Sequence, residues 1–415
     1  MEFIISRNVL LRALNHTRCA ITKGELKMFK NFVFTFPDDP KEATMTVHAS
    51  NGDVWITETV LLDAPAQEPR PITVWYDDLL RPIKSLEEQP LKFTVGEYQL
   101  KVTHSCGSFR LPLSNQAEEF FAFPRPRPDA EAEDGYSIEY ESPGLRSILS
   151  RLAFAMAQDE LRPAMNGVFV NLTESYADYV SSDGHRLVRV RKSPVYCGGI
   201  ATVLSFIIPA PIVRTLLRLL PTTGDVKFEY QKELLKEKTR TNSKGKKETY
   251  TVVERKAAAR IVIDDNLTLT FLTVEGRYPA YWNVIPENYN FQMTVERLPL
   301  VKSVDRLSLF QPDSGLLELN ISKENIHLTT EDADFSLAGE ETVPCECVKH
   351  DGTAMQSLGI GFKAPSLAAT LKVLSSEKVI FHITDASRAC IILPVPQPDV
   401  EEITMLLMPM LINDR

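Results

Sequence analysis

Two stretches of the 415-residue chain hold side chains of the kinds that do chemistry. The first is SSDGHRLVRV, where Asp183, His185 and Arg186 lie close together in a chain with only seven histidines. An Asp-x-His pair could orient an imidazole as a general base, with the arginine beside it to hold an anion. The second is CECVKH, whose Cys345, Cys347 and His350 have zinc-ligand chemistry. A closed structural zinc site needs four ligands, and this stretch offers three. No candidate nucleophile or glycine-rich phosphate loop accompanies the first stretch. Both read as architecture before catalysis, so neither an enzyme activity nor a metal or cofactor is expected.

The elements that must position these residues repeat along the chain. FIISRNVLLRAL (3–14), IEYESPGLRSIL (138–149) and MTVERLPLVKSV (293–304) each begin extended and turn into an amphipathic helix, aligning Leu10, Leu145 and Leu300. Leu14, Leu149 and Val304 follow one helical turn later. A second helix recurs in VWYDDLLRPIKSL (74–86), IPAPIVRTLLRLL (208–220) and FKAPSLAATLKVL (362–374), aligning Leu79, Val213 and Leu367. Pro82 falls inside the first of these and is expected to shorten or kink it. Between the helices lie alternating segments with turn residues, the pattern of antiparallel hairpins with one buried face. The expected fold is therefore α+β: three repeated domains, each of two helices on antiparallel sheet, spanning 1–127, 128–288 and 289–415. The proline-rich 123–135 reads as a linker, and residues 231–257 as a lysine-rich insertion ending in a hairpin tip at KGKK.

The repeat supplies a control for the Asp-His turn. Ser182-Asp183-Gly184-His185-Arg186-Leu187 aligns with Ser50-Asn51-Gly52-Asp53-Val54-Trp55 in the first copy. Both are polar-glycine hairpin turns, so the turn is architecture, and His185 with Arg186 is what the second copy adds.

The overall charge of −9 argues at first against a nucleic-acid partner. Its distribution reverses that inference, because the six helical segments sum to +8 and leave −17 elsewhere. Five positions after the aligned Leu79, Val213 and Leu367 come Lys84, Arg218 and Lys372, basic in every copy. On the other helix family Arg12 and Lys302, then His16, Arg151 and Arg306, take equivalent outer positions. Isolated basic residues on a solvated face mean little, whereas recurrence on an acidic chain suggests a phosphate backbone held without base readout. No apolar run reaches membrane-spanning length, and six scattered cysteines suit a reducing cytoplasm.

The opening MEFIISRNVLLRAL, the stretches SDGHRL, EGRYPAYWNVIP and LLMPML, and the triple repeat resemble the bacterial sliding clamps, the beta subunits of DNA polymerase III. The resemblance runs nearly end to end outside the insertion. It implies a non-catalytic processivity factor, in which two chains form a head-to-tail homodimeric ring around duplex DNA, each supplying half of the ring. The implied partners are sequence-independent duplex DNA, the polymerase III catalytic subunit, a clamp loader and other proteins carrying clamp-binding peptides. A cytoplasmic location without membrane attachment is expected. The rival expectation is a peptide-binding adaptor that keeps the groove without encircling DNA.

The resemblance assigns a peptide-binding groove to Met165, Ser182, Gly184, His185, Arg186, Leu187, Pro279, Val284, Leu406, Leu407, Met408, Pro409 and Met410. It assigns DNA-facing roles to Arg12, Lys23, Lys84, Arg151, Arg162, Arg218, Lys302, Arg306 and Lys372, and a subunit interface to Leu309 and Phe310. RLSLF (306–310) also looks like a clamp-binding peptide, but within a repeat helix it reads as packing. The chain departs from the family pattern at Asn283 and Leu411, where arginine is frequent, and at Pro163-Ala164, where a tyrosine pair occurs in some relatives.

Overall fold

The computed structural model describes residues 1–22, 26–39, 41–193, 203–241, 247–332, 334–351, 353 and 357–412, without the side chains of 237–250. Lys23 and the residues 242–246 at the tip of the insertion lie outside this description.

One sheet pattern recurs three times. Its first half runs in the spatial order Ile72–Trp75, Asn31–Thr35, Thr44–Ser50, Val54–Leu61. Later in the chain the same order returns as Leu204–Pro209, Gly167–Leu172, Ala177–Ser182, Arg186–Lys192, and then as Leu358–Lys363, Leu316–Ile321, Asn325–Asp332, Leu337–Lys349. The second half runs Glu2–Ser6, Pro90–Val95, Gln99–His104, Gly107–Pro112. It recurs as Gly135–Glu141, Asp225–Gln231, Ala258–Ile263, Leu267–Leu272, and as Phe291–Glu296, Lys378–Ile383, Cys390–Val395, Glu401–Leu407. All pairings within these sheets are antiparallel, and buried and exposed residues alternate along strands such as Lys378–Ile383.

Last strands join successive copies. Val54–Leu61 pairs with Leu267–Leu272 in the register Leu269↔Ile56, and Arg186–Lys192 pairs with Glu401–Leu407 in the register Val188↔Met405. These joins leave two compact units, Met1–Gly144 with Arg218–Thr273, and Leu145–Leu217 with Val274–Arg415. The middle copy thus gives one sheet half to each unit. Edge pairing, not the sequence repeat, draws that division.

Seven helices are described: α1 (Arg7–Thr17), α2 (Tyr76–Ser85), α3 (Ala117–Ala122), α4 (Ser142–Leu152), α5 (Ala210–Leu219), α6 (Arg297–Leu307) and α7 (Ala364–Lys372). The residues aligned by sequence are the buried stripes of six of them. Leu14, Leu149 and Val304 are fully buried, as are Leu79, Val213 and Leu367. Removing each such leucine or valine from water contributes about 1.5–3 kcal/mol, which outweighs the modest helix propensity of these short segments. In α2 the helix continues through Pro82 and ends three residues later, at Ser85. α3 is the element that periodicity does not announce. It is one and a half turns long and is held by Phe120, fully buried against Trp55 with ring centroids 4.8 Å apart.

The insertion forms a two-stranded ribbon, Leu234–Thr241 with Lys247–Arg255, which joins no other sheet among the described residues. Among the described residues no helix is long and apolar enough to cross a membrane.

Candidate partner groove and cationic cleft

The turn between Ala177–Ser182 and Arg186–Lys192 is closed by its own polar side chains. Asp183 Oδ1 accepts the backbone N–H of His185 at 2.9 Å and of Arg186 at 3.0 Å, while Asp183 Oδ2 accepts Arg186 Nε at 2.8 Å. Ser182 Oγ donates to the Arg186 carbonyl and accepts from Gly184 N, and Gly184 sits at φ +92°. A left-handed φ is cheap only for glycine, which is why the turn needs one there. Both oxygens of Asp183 are occupied by the turn, and its hydrogen bond to His185 goes to that residue's backbone. The arrangement positions no base.

The turn forms the rim of an apolar site. Leu187 and Leu406 stand opposite each other in register and share one buried cluster with Val180, Ile207, Tyr278, Tyr281 and Ala389. The chain after Leu407 crosses the turn, since Met408 N donates to the His185 carbonyl at 2.8 Å, and Met410 N donates to Gly361 O at 2.8 Å. Pro409 between them is half-buried, and Met408 is 38% exposed. Pro279 and Val284 are exposed on the segment that supplies Tyr278 and Tyr281. Met165 and Leu407 are buried outside that cluster. Asn283 and Leu411 are both exposed.

Below the cluster lies a charged anchor. Asp178 is almost fully buried, receives a two-pronged pair of hydrogen bonds from Arg191 at 2.8 and 2.7 Å, and accepts the Tyr281 hydroxyl at 2.7 Å. Bidentate contacts of this kind fix orientation as well as energy. Burial and the neighbouring Asp178 push the Tyr281 hydroxyl well above the usual phenol range. Tyr281 is thereby held as a neutral donor, and with it the floor of the site. The EGRYPAYWNVIP stretch carries this signal in its tyrosines at 278 and 281, which sequence reading passed over for Pro279 and Val284.

The cations expected to face DNA divide by what they touch. Lys84 and Arg218, from the equivalent helix of two successive repeats, line one open cleft of about 460 Å³ with Asn15, His16, Arg18, Cys19, Leu80 and Leu219. That lining contains no carboxylate. Arg12 and His16 both reach Glu58, at 3.2 and 2.8 Å. Arg151 is bound to Glu401 with its side chain only 13% exposed. Arg306 takes Glu341 through two contacts of 2.7 and 2.6 Å, and Lys372 takes Asp305 at 2.7 Å. Lys302 is exposed beside Arg306. Arg162 bonds Asp159 at 2.8 Å, and its Nη1 lies 3.2 Å from where a Cβ on Gly184 would stand. It therefore borders the groove turn.

The remaining sequence candidates have structural neighbours of their own. Burial pushes the thiols of Cys345 and Cys347 up to about 11, so neither is a ready thiolate. Leu309 is 76% exposed and Phe310 38% exposed, and the Phe310 ring lies against Gly339 of the strand Leu337–Lys349.

Comparison with known proteins places these features in a family context. Residues 139–279 match the model of the DNA polymerase III beta subunit central domain, and 282–410 that of its C-terminal domain. The chain is similar to the beta sliding clamp of Treponema pallidum, 23% identical over 98% of this chain and 99% of the relative. It is likewise similar to the beta sliding clamp of Pseudomonas putida, at 24% identity with 98% and 99% covered. The solved beta subunit from Pseudomonas aeruginosa superposes with a TM-score of 0.82 at 21% identity, covering 99% of this chain and all of that one. That from Thermotoga maritima does so with a TM-score of 0.81 at 18% identity and 99% coverage of both chains.

Proposed function

The chain belongs to the DNA polymerase III beta-subunit family, and from that premise we propose how its residues carry out the family's task. It is the non-catalytic processivity clamp of a DNA polymerase. Processivity here requires hold without grip: a closed ring stays on duplex because of topology, so its contacts to phosphate can be weak and non-directional. Tight ones would hinder sliding.

The observation that carries the DNA-facing assignment is the cleft shared by Lys84 and Arg218. Two repeat-equivalent cations converge there without an acidic neighbour in the lining, which favours a phosphate. Lys302 is the third-copy cation for which no carboxylate contact is described. Arg12, Arg151, Arg306 and Lys372 are partly neutralised by Glu58, Glu401, Glu341 and Asp305, and contribute less.

Ring closure follows a pairing rule. The last strand of the first sheet half pairs with the last strand of the next copy's second half, as in Val54–Leu61 with Leu267–Leu272 and Arg186–Lys192 with Glu401–Leu407. Applied once more, the rule pairs the Leu337–Pro344 part of the strand Leu337–Lys349, whose remaining residues already pair with Phe291–Val295, with Gly107–Pro112 of a second chain. Gly107–Pro112 has no strand on its outer edge among the described residues. Exposed Leu309 and Phe310 flank the other edge and would be covered by such a contact. This supports three domains spanning 1–127, 128–288 and 289–415 in each half of a homodimeric ring.

The groove of Ser182, Gly184, His185, Arg186, Leu187 and residues 406–410 would take short apolar peptides from the polymerase and other partners. Leucine and methionine walls adapt to aliphatic and aromatic anchors, and the polar turn sets peptide direction. The test replaces Lys84, Arg218 and Lys302 together with alanine and follows retention on nicked circular DNA after loading. Retention shortened several-fold, with partner-peptide affinity unchanged, is the expected result. Unchanged retention would remove these cations from the DNA path and favour the adaptor reading.

A further inference from the structure

The proline-rich stretch 123–128 belongs to neither the groove nor the cleft, and it is pinned at both ends. Phe123 meets the Phe29 ring edge-on at 5.0 Å, and Asp129 N donates to Gln231 Oε1 at 3.0 Å. Pro124, Pro126 and Pro128 fix φ along the span, so Arg125 and Arg127 are presented on a stiff segment. Arg125 is half-buried over the Trp55 ring, 5.6 Å from its centroid, and Arg127 is exposed. Neither makes an ion pair among the described residues.

Strand register sets what lies beneath. Trp55 pairs with Thr270, and Thr270 with Arg260, so these side chains share one face of the sheet within two strand spacings, about 10 Å. Glu58, three residues on from Trp55, points to the opposite face, where it binds Arg12 and His16. Duplex drawn to the cleft of His16, Lys84 and Arg218 therefore meets the other side of this sheet. Arg260 is bound to Glu229, which also takes Lys227 at 2.9 Å, so that carboxylate is already shared by two cations. Burial, with repulsion from Arg127 and Arg260, holds the Arg125 guanidinium below the ordinary arginine range. Arginine nevertheless keeps its proton, and its charge has no counter-charge among the described residues. Thr270 is 1% exposed, and its Oγ1 has no hydrogen-bond partner among the described residues.

We propose that Arg125, Arg127 and Arg260, with the Thr270 hydroxyl between them, form a binding site for a phosphoryl group. Buried polar groups in folded proteins are satisfied, and buried charges are paired. A water would satisfy the hydroxyl and leave the charge unanswered. A carboxylate brings one charge on two oxygens. A phosphoryl group brings nearly two charges on three acceptor oxygens, enough for guanidinium forks and the hydroxyl together. That group can arrive free, as inorganic phosphate, or on a phosphorylated side chain of a partner.

The test titrates the full chain with inorganic phosphate by calorimetry at fixed ionic strength, with chloride in place of phosphate as the control. Saturable binding is expected, and a melting temperature that rises in phosphate but not in matched chloride. Arg125→Gln should weaken binding at least about 10-fold, the loss of one hydrogen bond to a charged group. Thr270→Val should weaken it about 5-fold. In phosphate-free buffer the same variant should melt no lower than the parent, because it removes a buried hydroxyl that nothing answers. Lost binding with kept stability is a pairing that misfolding cannot mimic. A phosphoserine peptide that binds more tightly than inorganic phosphate assigns the phosphoryl group to a protein partner, and equal or weaker binding assigns it to the free ion. No saturable binding beyond chloride overturns the proposal. So does phosphate binding that survives Arg125→Gln and is lost in the double variant Lys84→Ala, Arg218→Ala, which would place the ion in the cleft. A Thr270→Val variant that binds like the parent removes the hydroxyl from the site.

Discussion

Two hairpin turns of this chain are built alike and covered differently. In the first copy Asn51 Oδ1 accepts Asp53 N at 3.1 Å and Val54 N at 2.9 Å, Ser50 Oγ accepts Gly52 N, and Gly52 sits at φ +99°. The second copy repeats this with Asp183, Ser182 and Gly184. What lies over each turn differs. A Cβ on Gly52 would stand 3.3 Å from the rings of both Phe29 and Phe123, and the adjacent Trp55 packs on Phe120 of α3. The chain fills that site with its own aromatics. Over Gly184 the nearest atoms belong to the charged end of Arg162, and the neighbouring wall exposes Met408 and Val284. One scaffold thus yields a core where an aromatic helix covers it and a candidate docking surface where none does.

The largest effect separating the two turns is expected at their aligned apolar residues. Trp55→Ala should remove about 3–5 kcal/mol of stability, read by urea denaturation, and leave partner-peptide affinity unchanged. Leu187→Ala should lower both stability and peptide affinity, because its side chain belongs to the buried cluster that floors the proposed groove. Equal loss of peptide binding in the two variants would break the distinction. Acid should strike the first turn's neighbourhood next. His48, hydrogen-bonded to Thr35 at 2.7 Å and edge-on to Phe121, is carried by burial, helped by Arg125, down to about 3 from 6.5. The folded protein keeps it neutral while the unfolded chain protonates it. The His48 contribution to stability is therefore complete above about pH 6.5 and falls as pH drops toward 3, by up to about 1.4 kcal/mol per pH unit. His48→Gln should flatten that part of the melting-temperature profile.

Much of the scaffold was legible because it is periodic. Leu10, Leu145 and Leu300 mark buried helix faces through spacing alone, and the glycine turns announce themselves by composition. What escaped depends on partners distant in the chain. α3 is too short to show a period and exists because Phe120 has Trp55 to cover. Arg151 and Arg306 have the spacing of outward-facing cations, yet their carboxylates, Glu401 and Glu341, arrive from strands that no helical pattern foretells. Tyr281 matters through Asp178, which reads in sequence as an ordinary strand residue. The proposed groove comes from family resemblance alone, since leucines and methionines near a C-terminal strand look like any core.

Smaller effects sharpen the comparison at the turns themselves. Gly52→Ala must strain a positive φ, at about 1 kcal/mol, and also push into two ring edges, which adds about 1–3 kcal/mol of overpacking. Gly184→Ala bears the same strain but meets only the Arg162 guanidinium, a flexible group that can swing away. The difference between the two melting shifts therefore measures how firmly each turn is covered, and combining Gly184→Ala with Arg162→Ala should leave the strain alone. At the far wall, Met408→Ala removes a side chain that is 38% exposed in the free protein, so its stability cost should stay within about 0.5 kcal/mol. A peptide anchored there would lose about 1 kcal/mol of contact, roughly fivefold in affinity by titration calorimetry. The sign of that pair of numbers is what matters: a residue whose truncation the fold ignores and a partner notices belongs to a docking surface. Were Met408→Ala to destabilise the protein as a core truncation does, this wall would be interior packing, and the second turn would be covered after all.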